Sequence, residues 1–201
     1  QALSNFRLTN GTCLYTQDFA PPTKPLEALA NTKLLCCKNE WNSCAYEVSP
    51  YVISEGGEWV VAGDPAATST APGTKSGSVE FDGTGDYMYI ENPYYNIRNW
   101  WHGNSGFTIE YWIKADAFGE GQNSKSNVFG HGAYGSGTTE YWSFGPIADG
   151  TVEFYYWTGS GQTLTSTSVL STGTWYHLAL VYSGGWAGNG GCLLYTSDAA
   201  D

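Results

Sequence analysis

The stretch that decides the fold is Ser78-Val-Glu-Phe-Asp-Gly-Thr-Gly-Asp-Tyr-Met-Tyr-Ile90. Its residues alternate on either side of a glycine-rich centre, a period of two that predicts two short strands joined by a tight turn. The same alternation returns in residues 107–114 and 174–182, and clusters of Gly, Asn and Ser between these runs predict turns. The pattern therefore predicts that a β-domain opens at residue 78.

The composition favours strands and tight turns over helices. The chain has 26 Gly, 15 Tyr and 9 Trp in 201 residues, and aromatic residues are enriched in strands. We therefore expect minimal helix. Strands are predicted near residues 78–82, 86–91, 107–115, 126–131, 139–144, 151–157, 162–169 and 174–182.

Three stretches of this domain carry a family resemblance. Val79 to Phe81 followed by Asp82-Gly83, the Phe-Thr-Ile-Glu-Tyr-Trp run at 107–112, and Trp-Tyr-His-Leu-Ala-Leu-Val-Tyr at 175–182 together resemble the laminin-G-like (concanavalin A-like) jelly roll. The resemblance covers roughly residues 78–183. It implies an all-β, antiparallel jelly-roll β-sandwich.

The beginning of the chain resembles the closing strands of the same domain type. The residues concerned are Leu-Ser-Asn-Phe-Arg-Leu-Thr-Asn-Gly-Thr-Cys-Leu-Tyr at 3–15, Phe-Ala-Pro-Pro at 19–22 and Lys-Leu-Leu-Cys-Cys at 33–37. An ending that precedes a beginning predicts a window cut from a tandem array, that is, a truncated tandem repeat. This ending is similar to repeats in structural proteins of marine tailed phages.

We expect four segments along the chain. Residues 1–38 are predicted to be the closing strands of one repeat, 39–77 an irregular segment and linker, and 78–191 the first part of a second repeat. The last segment, 192–201, resembles a translated sequencing adapter and is predicted to stay unpacked. Both ends of the chain are expected to be truncated.

Two finer expectations concern the first two segments. Within 39–77, residues 58–61 form a predicted strand, and 63–77, rich in Pro and Gly, form the linker. The closing strands of the first segment are predicted to dock onto the second repeat, as in a circular permutant, with residues 34–37 antiparallel to part of 79–90. The apolar side chains of the first segment would then be buried there.

Charge and hydropathy exclude two classes of partner. With 8 Lys and Arg against 19 Asp and Glu, the formal charge is −11, so a phosphate backbone would be repelled. The longest apolar run has about eight residues, against about 20 for a membrane span. We expect neither nucleic-acid binding nor a membrane span, and we expect an extracellular, cell-surface or virion location.

The five cysteines raise the question of a metal site or a disulfide. Cys36, Cys37 and Cys44 are close in sequence, and Cys13 could be near them in space. Because neighbours on a strand point to opposite faces, Cys36 and Cys37 could not both ligate one ion without a bulge. No CxxC pair or nearby His completes a tetrahedral set. A buried apolar role is therefore favoured.

Carboxylates surround the opening hairpin at Glu80, Asp82 and Asp86. Glycosidases of the resembled superfamily carry Glu-x-Asp-x-x-Glu on one strand, a pair about 5 to 5.5 Å apart in retaining enzymes. Here Gly85 stands where the last carboxylate would be, so we expect no hydrolase and no catalytic residue. Glu80 and Asp86 are expected to face solvent and Asp82 to cap the turn. Asp82 is also a weak candidate ligand for Ca²⁺, which needs six or more oxygens, and no cofactor is expected.

The candidate ligand-binding residues form an aromatic cluster of Tyr94, Tyr95, Trp100, Trp101 and His102 among Asn and Gly. Sugars stack on aromatic faces while amides bind their hydroxyls. The alternative interpretation is packing at the edge of the sandwich.

A second aromatic surface is possible on the strands at 141–144 and 152–157, which carry aromatic residues on both faces. They could form a concave platform, or they could be buried. The three histidines, His102, His131 and His177, lie in separate segments without a nucleophile beside them. His177 is interpreted as structural.

The sequence thus predicts a non-catalytic laminin-G-like module of a virion appendage or surface adhesin that binds glycans or other surface ligands. Its other expected partners are neighbouring repeats. The alternatives are a purely structural fibre repeat and a remote glycoside hydrolase, which the fold alone does not separate.

Overall fold

The structure, a computed structural model, describes residues 1–38, 58–73, 77–91, 106–118, 128–131, 141–157, 161–183 and 192–198. These residues contain strands and turns but no helix. Every predicted strand between residues 78 and 182 is present, with bounds that differ by a few residues. The strands are β1 Ala2–Asn10, β2 Thr32–Cys36, β3 Glu58–Ala62, β4 Ala66–Thr68, β5 Ser78–Glu80, β6 Tyr87–Glu91, β7 Phe107–Lys114, β8 Phe129–His131, β9 Tyr141–Pro146, β10 Thr151–Trp157, β11 Gly161–Val169, β12 Trp175–Tyr182 and β13 Cys192–Asp198.

The strands form three antiparallel sheets. The largest has seven strands in the order β13-β12-β7-β1-β5-β4, and β2 also pairs with β1. The second has four strands in the order β11-β10-β9-β8, and the third pairs β3 with β6. An all-β, antiparallel jelly-roll sandwich, the predicted fold class, is confirmed.

Strand β1 lies in the middle of the large sheet. One of its edges pairs with β7 along almost its whole length, from Ala2↔Lys114 to Asn10↔Phe107. On the other edge its first residues pair with β5 and its later residues with β2. Docking of the first segment onto strands after Ser78 is therefore confirmed. The predicted register is wrong, because β1 and not residues 34–37 pairs with β5.

The core lies between the inner faces of the two larger sheets. Phe6 of β1 stacks on Tyr111 of β7 at 5.6 Å and contacts Phe129 of the opposite sheet at 4.5 Å between ring centroids. The Tyr111 hydroxyl donates to the carbonyl oxygen of Phe144 (3.2 Å). Because alternate residues of each strand point inward, these aromatic rings interdigitate as in other aligned sandwiches.

The outer face of the large sheet is covered by residues 11–31, which connect β1 to β2 and are called the strap here. The Leu14 amide donates to Thr108 Oγ1 (3.0 Å), and the Leu26 amide donates to Asn5 Oδ1 (2.8 Å). Asn5 has a φ of 52° at a bulge in β1, a backbone region that Asn tolerates better than most residues. The strap therefore helps to bury β1 and β7 on both faces.

A carboxylate lies under the strap. Glu110 Oε1 accepts hydrogen bonds from Arg7 Nε (2.9 Å) and Nη2 (2.5 Å), and Oε2 accepts one from the Tyr15 hydroxyl (2.6 Å). His177 Nε2 lies 3.1 Å from Oε2. We call these four residues the buried polar network; with four donors, the carboxylate is fully satisfied.

Two expectations about the linker and the last segment fail. Ala66–Thr68, in the predicted linker, forms strand β4 and pairs with β5. Residues 192–198, predicted to be unpacked, form β13 and pair with β12. Both pairings satisfy backbone groups at a sheet edge that would otherwise stay open. The predicted strand at 58–61 is confirmed as β3.

Within the described ranges, no helix has the length and apolar character that a membrane span requires.

Candidate functional site

The predicted aromatic site lies outside the described residues. Tyr94, Tyr95, Trp100, Trp101 and His102 all fall between residues 92 and 105. The candidate site described below lies directly before them in the chain, at the turn between β5 and β6.

Three aspartates meet at this turn. Asp64, Asp82 and Asp86 each present a carboxylate oxygen, and these oxygens lie within 4.8 Å of one another. We call them the carboxylate cluster. Asp64 and Asp82 are exposed and Asp86 is half-buried. Among the described residues, no Lys or Arg forms an ion pair with any of them.

Hydrogen bonds from the backbone hold the cluster in place. Asp86 accepts from the amide of Asp64 at Oδ1 (2.8 Å) and from the amide of Asp82 at Oδ2 (2.9 Å). Asp82 Oδ1 accepts from the amide of Thr84 (2.5 Å), which confirms that Asp82 caps the turn. Asp86 was expected to be a solvent-facing strand residue, and this is wrong, because it precedes β6 and joins two turns.

The cluster meets one requirement of a cation site and misses another. It supplies carboxylate oxygens, the ligands that Ca²⁺ prefers, but three aspartates fall short of the six to eight oxygens that Ca²⁺ takes. The same oxygens can accept hydrogen bonds from sugar hydroxyls. Glu80, the third predicted carboxylate, is exposed on β5, as expected, and does not belong to the cluster.

Gly63 is required for this arrangement. Its φ is +75°, and a Cβ built on it would lie 2.1 Å from Asp86 Oδ1. We expect Gly63→Ala to lower the free energy of unfolding by about 1 to 3 kcal/mol, because it adds a collision to backbone strain. Gly83→Ala is the matched control: φ is +87° there, but nothing lies within 4 Å of a Cβ. If urea denaturation gave the same loss in the free energy of unfolding for both variants, the collision with Asp86 would contribute nothing.

Two tyrosines follow the cluster on β6. Tyr87 is 55% exposed and Tyr89 39%, and their ring centroids are 5.8 Å apart. Residues two apart on a strand share a face, and the residue between them, Met88, packs against the core. The tyrosine pair therefore presents aromatic surface to solvent at the rim of the sandwich.

The other predicted aromatic surface is mainly core. Trp142, Phe144, Val152 and Phe154 are all buried between the sheets. Among the described side chains of β9 and β10, Tyr155 is the aromatic residue on the opposite face, and it is half-buried. The interpretation of these strands as buried is therefore correct for the inner face.

His177 is the histidine whose side chain the structure describes. His177 is 1% exposed and belongs to the buried polar network, in agreement with its structural interpretation. Burial opposes ionisation of Glu110, but the hydrogen bond and charge of His177, the charge of Arg7 and the Tyr15 hydroxyl outweigh it and lower the pKa of Glu110. An ionised carboxylate only accepts hydrogen bonds, so His177 Nε2 carries a proton. Tyr15 belongs to the strap and is half-buried, and the other three residues of the network are buried beneath it.

Two packed antiparallel sheets with an aromatic and acidic rim define a lectin-like β-sandwich. The chain belongs to the concanavalin A-like lectin/glucanases superfamily, whose laminin-G family model matches residues 82–194, more than half of the chain. The match begins at Asp82 and includes the tyrosine pair. No curated protein and no solved structure matches the chain.

Proposed function

We propose that the protein is a non-catalytic glycan-binding module, with the tyrosine pair and the carboxylate cluster as its binding surface. The observation that carries this proposal is the exposure of Tyr87 and Tyr89 side by side on one strand face. Sugar rings bind to such amphipathic aromatic surfaces through their apolar faces. The superfamily includes lectins, which is consistent with this use of the fold.

The carboxylate cluster supplies the polar part of such a surface. Asp86 is directly followed by Tyr87, so the acidic turn and the aromatic strand are continuous. Fixed polar groups beside an apolar surface orient a ligand and give specificity. The exposed carboxylates of Asp64 and Asp82 would accept hydrogen bonds from sugar hydroxyls.

A binding role is favoured over hydrolysis by the state of Asp86. Both of its oxygens accept backbone hydrogen bonds, so it is held as a structural acceptor rather than left open to attack a sugar carbon. Retaining hydrolysis needs one carboxylate as nucleophile and a second carboxyl group as acid. The cluster therefore favours binding over catalysis. The basis for proposing a virion appendage or surface adhesin built from repeated modules is the resemblance of residues 3–37 to repeats of phage structural proteins.

Replacing Tyr87 and Tyr89 by alanine should weaken glycan binding. One aromatic contact contributes about 1 kcal/mol, so the double variant should bind about 30-fold more weakly. The measurement is a glycan array of the parent chain, followed by titration calorimetry of both proteins with the best sugar. Repeating the sugar titration with added Ca²⁺ and with a chelator shows how the aspartates act. An affinity that is the same in both indicates direct hydrogen bonds to the sugar, and an affinity that is lost with the chelator indicates binding through a cation.

Tyr155→Ala serves as the control, since Tyr155 lies on another sheet, on the face opposite the core. The sugar affinity of the Tyr155→Ala variant should equal that of the parent chain. If Tyr155→Ala abolishes binding and the double variant does not, the ligand surface is the four-stranded sheet. A parent chain that binds no sugar on the array would favour the structural repeat.

A further inference from the structure

Cys36 and Cys37 are brought together by an unusual backbone conformation. Neighbours in an extended strand point to opposite faces, and the sequence predicts this for the pair. The prediction is wrong, because Cys37 has a φ of +59° where the chain leaves β2. Both side chains are buried, 5% and 2% exposed, and their Sγ atoms are 3.7 Å apart.

The two thiols are close enough for an oxidant to join them as a disulfide. Neither is in a disulfide, and the Cys37 thiol donates a weak hydrogen bond to Cys36 Sγ. A disulfide bond is about 2.05 Å long, so the sulfurs would have to approach by about 1.7 Å. A change of this size is within reach of side-chain rotation combined with a small backbone adjustment.

We propose that Cys36 and Cys37 form a thiol–disulfide redox site that closes to a vicinal disulfide. The oxidant is a small disulfide such as oxidised glutathione. The thiolate of one cysteine attacks it and releases one reduced glutathione, and the second cysteine then attacks the resulting mixed disulfide and releases another. Two thiols become one disulfide, and their two hydrogens leave on two glutathione thiols.

The expected disulfide is labile rather than structural. Consecutive Cα atoms are about 3.8 Å apart, below the usual 4.4 to 6.8 Å between bridged cysteines, and such strain makes a disulfide easier to reduce. Closure would also act on its surroundings. The Cys37 carbonyl accepts from the Asn5 amide (2.8 Å), and Asn5 also holds the strap through Leu26.

Reaction should be slow in the folded protein. The hydrogen bond with Cys37 and burial raise the pKa of the Cys36 thiol, and a protonated, buried thiol is a poor nucleophile. Opening of β2 from β1 would expose the pair. The rate of closure should therefore rise at least about tenfold in urea concentrations below the unfolding transition.

Trypsin allows a direct test in the parent chain. Lys33 and Lys38 flank the pair, so digestion releases Leu-Leu-Cys-Cys-Lys, residues 34–38, which contains no other cysteine. The protein is incubated with oxidised glutathione without urea, and free thiols are alkylated. After digestion, the mass of the peptide is measured by mass spectrometry. We expect an unalkylated peptide about 2 Da lighter than the dithiol, restored by excess reduced glutathione.

The Cys37→Ser variant is the control, because its peptide keeps one thiol and cannot form the vicinal disulfide, so it should give the alkylated peptide or a glutathione adduct. Two results for the parent chain after incubation with oxidised glutathione would overturn the proposal. One is a peptide with both cysteines alkylated, and the other is a peptide that retains glutathione. A disulfide from this peptide to Cys13, Cys44 or Cys192, detected as a cross-linked pair of peptides, would also overturn it.

Discussion

Glu110→Gln is expected to lower the free energy of unfolding by about 3 to 5 kcal/mol, the usual cost of removing one partner from a buried ion pair. Glutamine keeps the shape but removes the charge that faces the guanidinium group of Arg7, a residue that is 8% exposed. All four groups that face the Glu110 oxygens are hydrogen-bond donors. The NH₂ group of a glutamine is also a donor, so it could not accept the bonds on its side. The measurement is urea denaturation at pH 7.

Two controls make this result specific. Glu80→Gln removes an exposed strand glutamate of β5 and should change stability by less than about 0.5 kcal/mol. The double variant Arg7→Met/Glu110→Leu removes both charges and should recover much of the loss, because apolar replacement of a whole buried pair is often tolerated. A loss below about 1 kcal/mol for Glu110→Gln would contradict a structural role for the network.

The same carboxylate gives a pH dependence with a defined sign. The pKa of Glu110 is lowered in the folded state, so the unfolded chain takes up its proton first as the pH falls. The stabilisation is complete above the unfolded pKa of about 4.3 and is lost as the pH falls through the folded pKa. As the pH falls below about 4.3, the stability of the parent chain should therefore decrease towards that of Glu110→Gln, and it should reach it once the pH is below the folded pKa.

Phe6→Ala is expected to cost about 3 to 5 kcal/mol, the range for removing a fully buried Phe. Phe6 is 1% exposed and contacts aromatic rings of both sheets, Tyr111 and Phe129. Its loss would leave a cavity at the centre of the sandwich. The measurement is thermal or urea denaturation against the parent chain.

Leu29→Ala is the control for this prediction, because Leu29 lies on the strap and is 43% exposed. It should change stability by less than about 0.5 kcal/mol. Hydrogen exchange gives a second test, since protection in β7 should fall together with that in β1. If Phe6→Ala left β7 and the overall stability unchanged, β1 would not belong to the common core.

The strands were predictable because their signal is local. Alternation in 107–114 and 175–182 depends on neighbours within one strand, and both strands are present. The register of β1 is not local. Both β1 and β2 carry apolar residues that could have paired with β5. In the structure the bulge at Asn5 separates the part of β1 that pairs with β5 from the part that pairs with β2.

The proposed binding surface was predictable in part. Tyr87 and Tyr89 flank Met88 within a predicted strand, but the ligand site was predicted among residues 94–102 and not at this pair. Asp64 was missed because it lies in a Pro- and Gly-rich stretch that resembles a linker. Its position beside Asp86 depends on the pairing of Ala62 in β3 with Tyr87 in β6, and no sequence pattern predicts that these two strands pair.

The buried polar network could not be found from pattern alone. In a strand with one exposed face, Glu110 occupies a position that alternation assigns to solvent. It is buried because the strap covers that face, and the strap has no regular pattern of its own. The conformation of Cys37 could not be predicted either, because a positive φ is uncommon at a non-glycine residue and no sequence pattern indicates it here.

The central position of β1 also determines when the sheet can form during synthesis. Arg7 and Glu110 are 103 residues apart, so at about 5 to 20 residues per second β1 waits several seconds or more on the ribosome before β7 is translated. Pairings over such distances also slow folding in general. Nascent chains stalled before residue 107 should therefore keep β1 open to proteases and chaperones, and those extended past β12 should protect it.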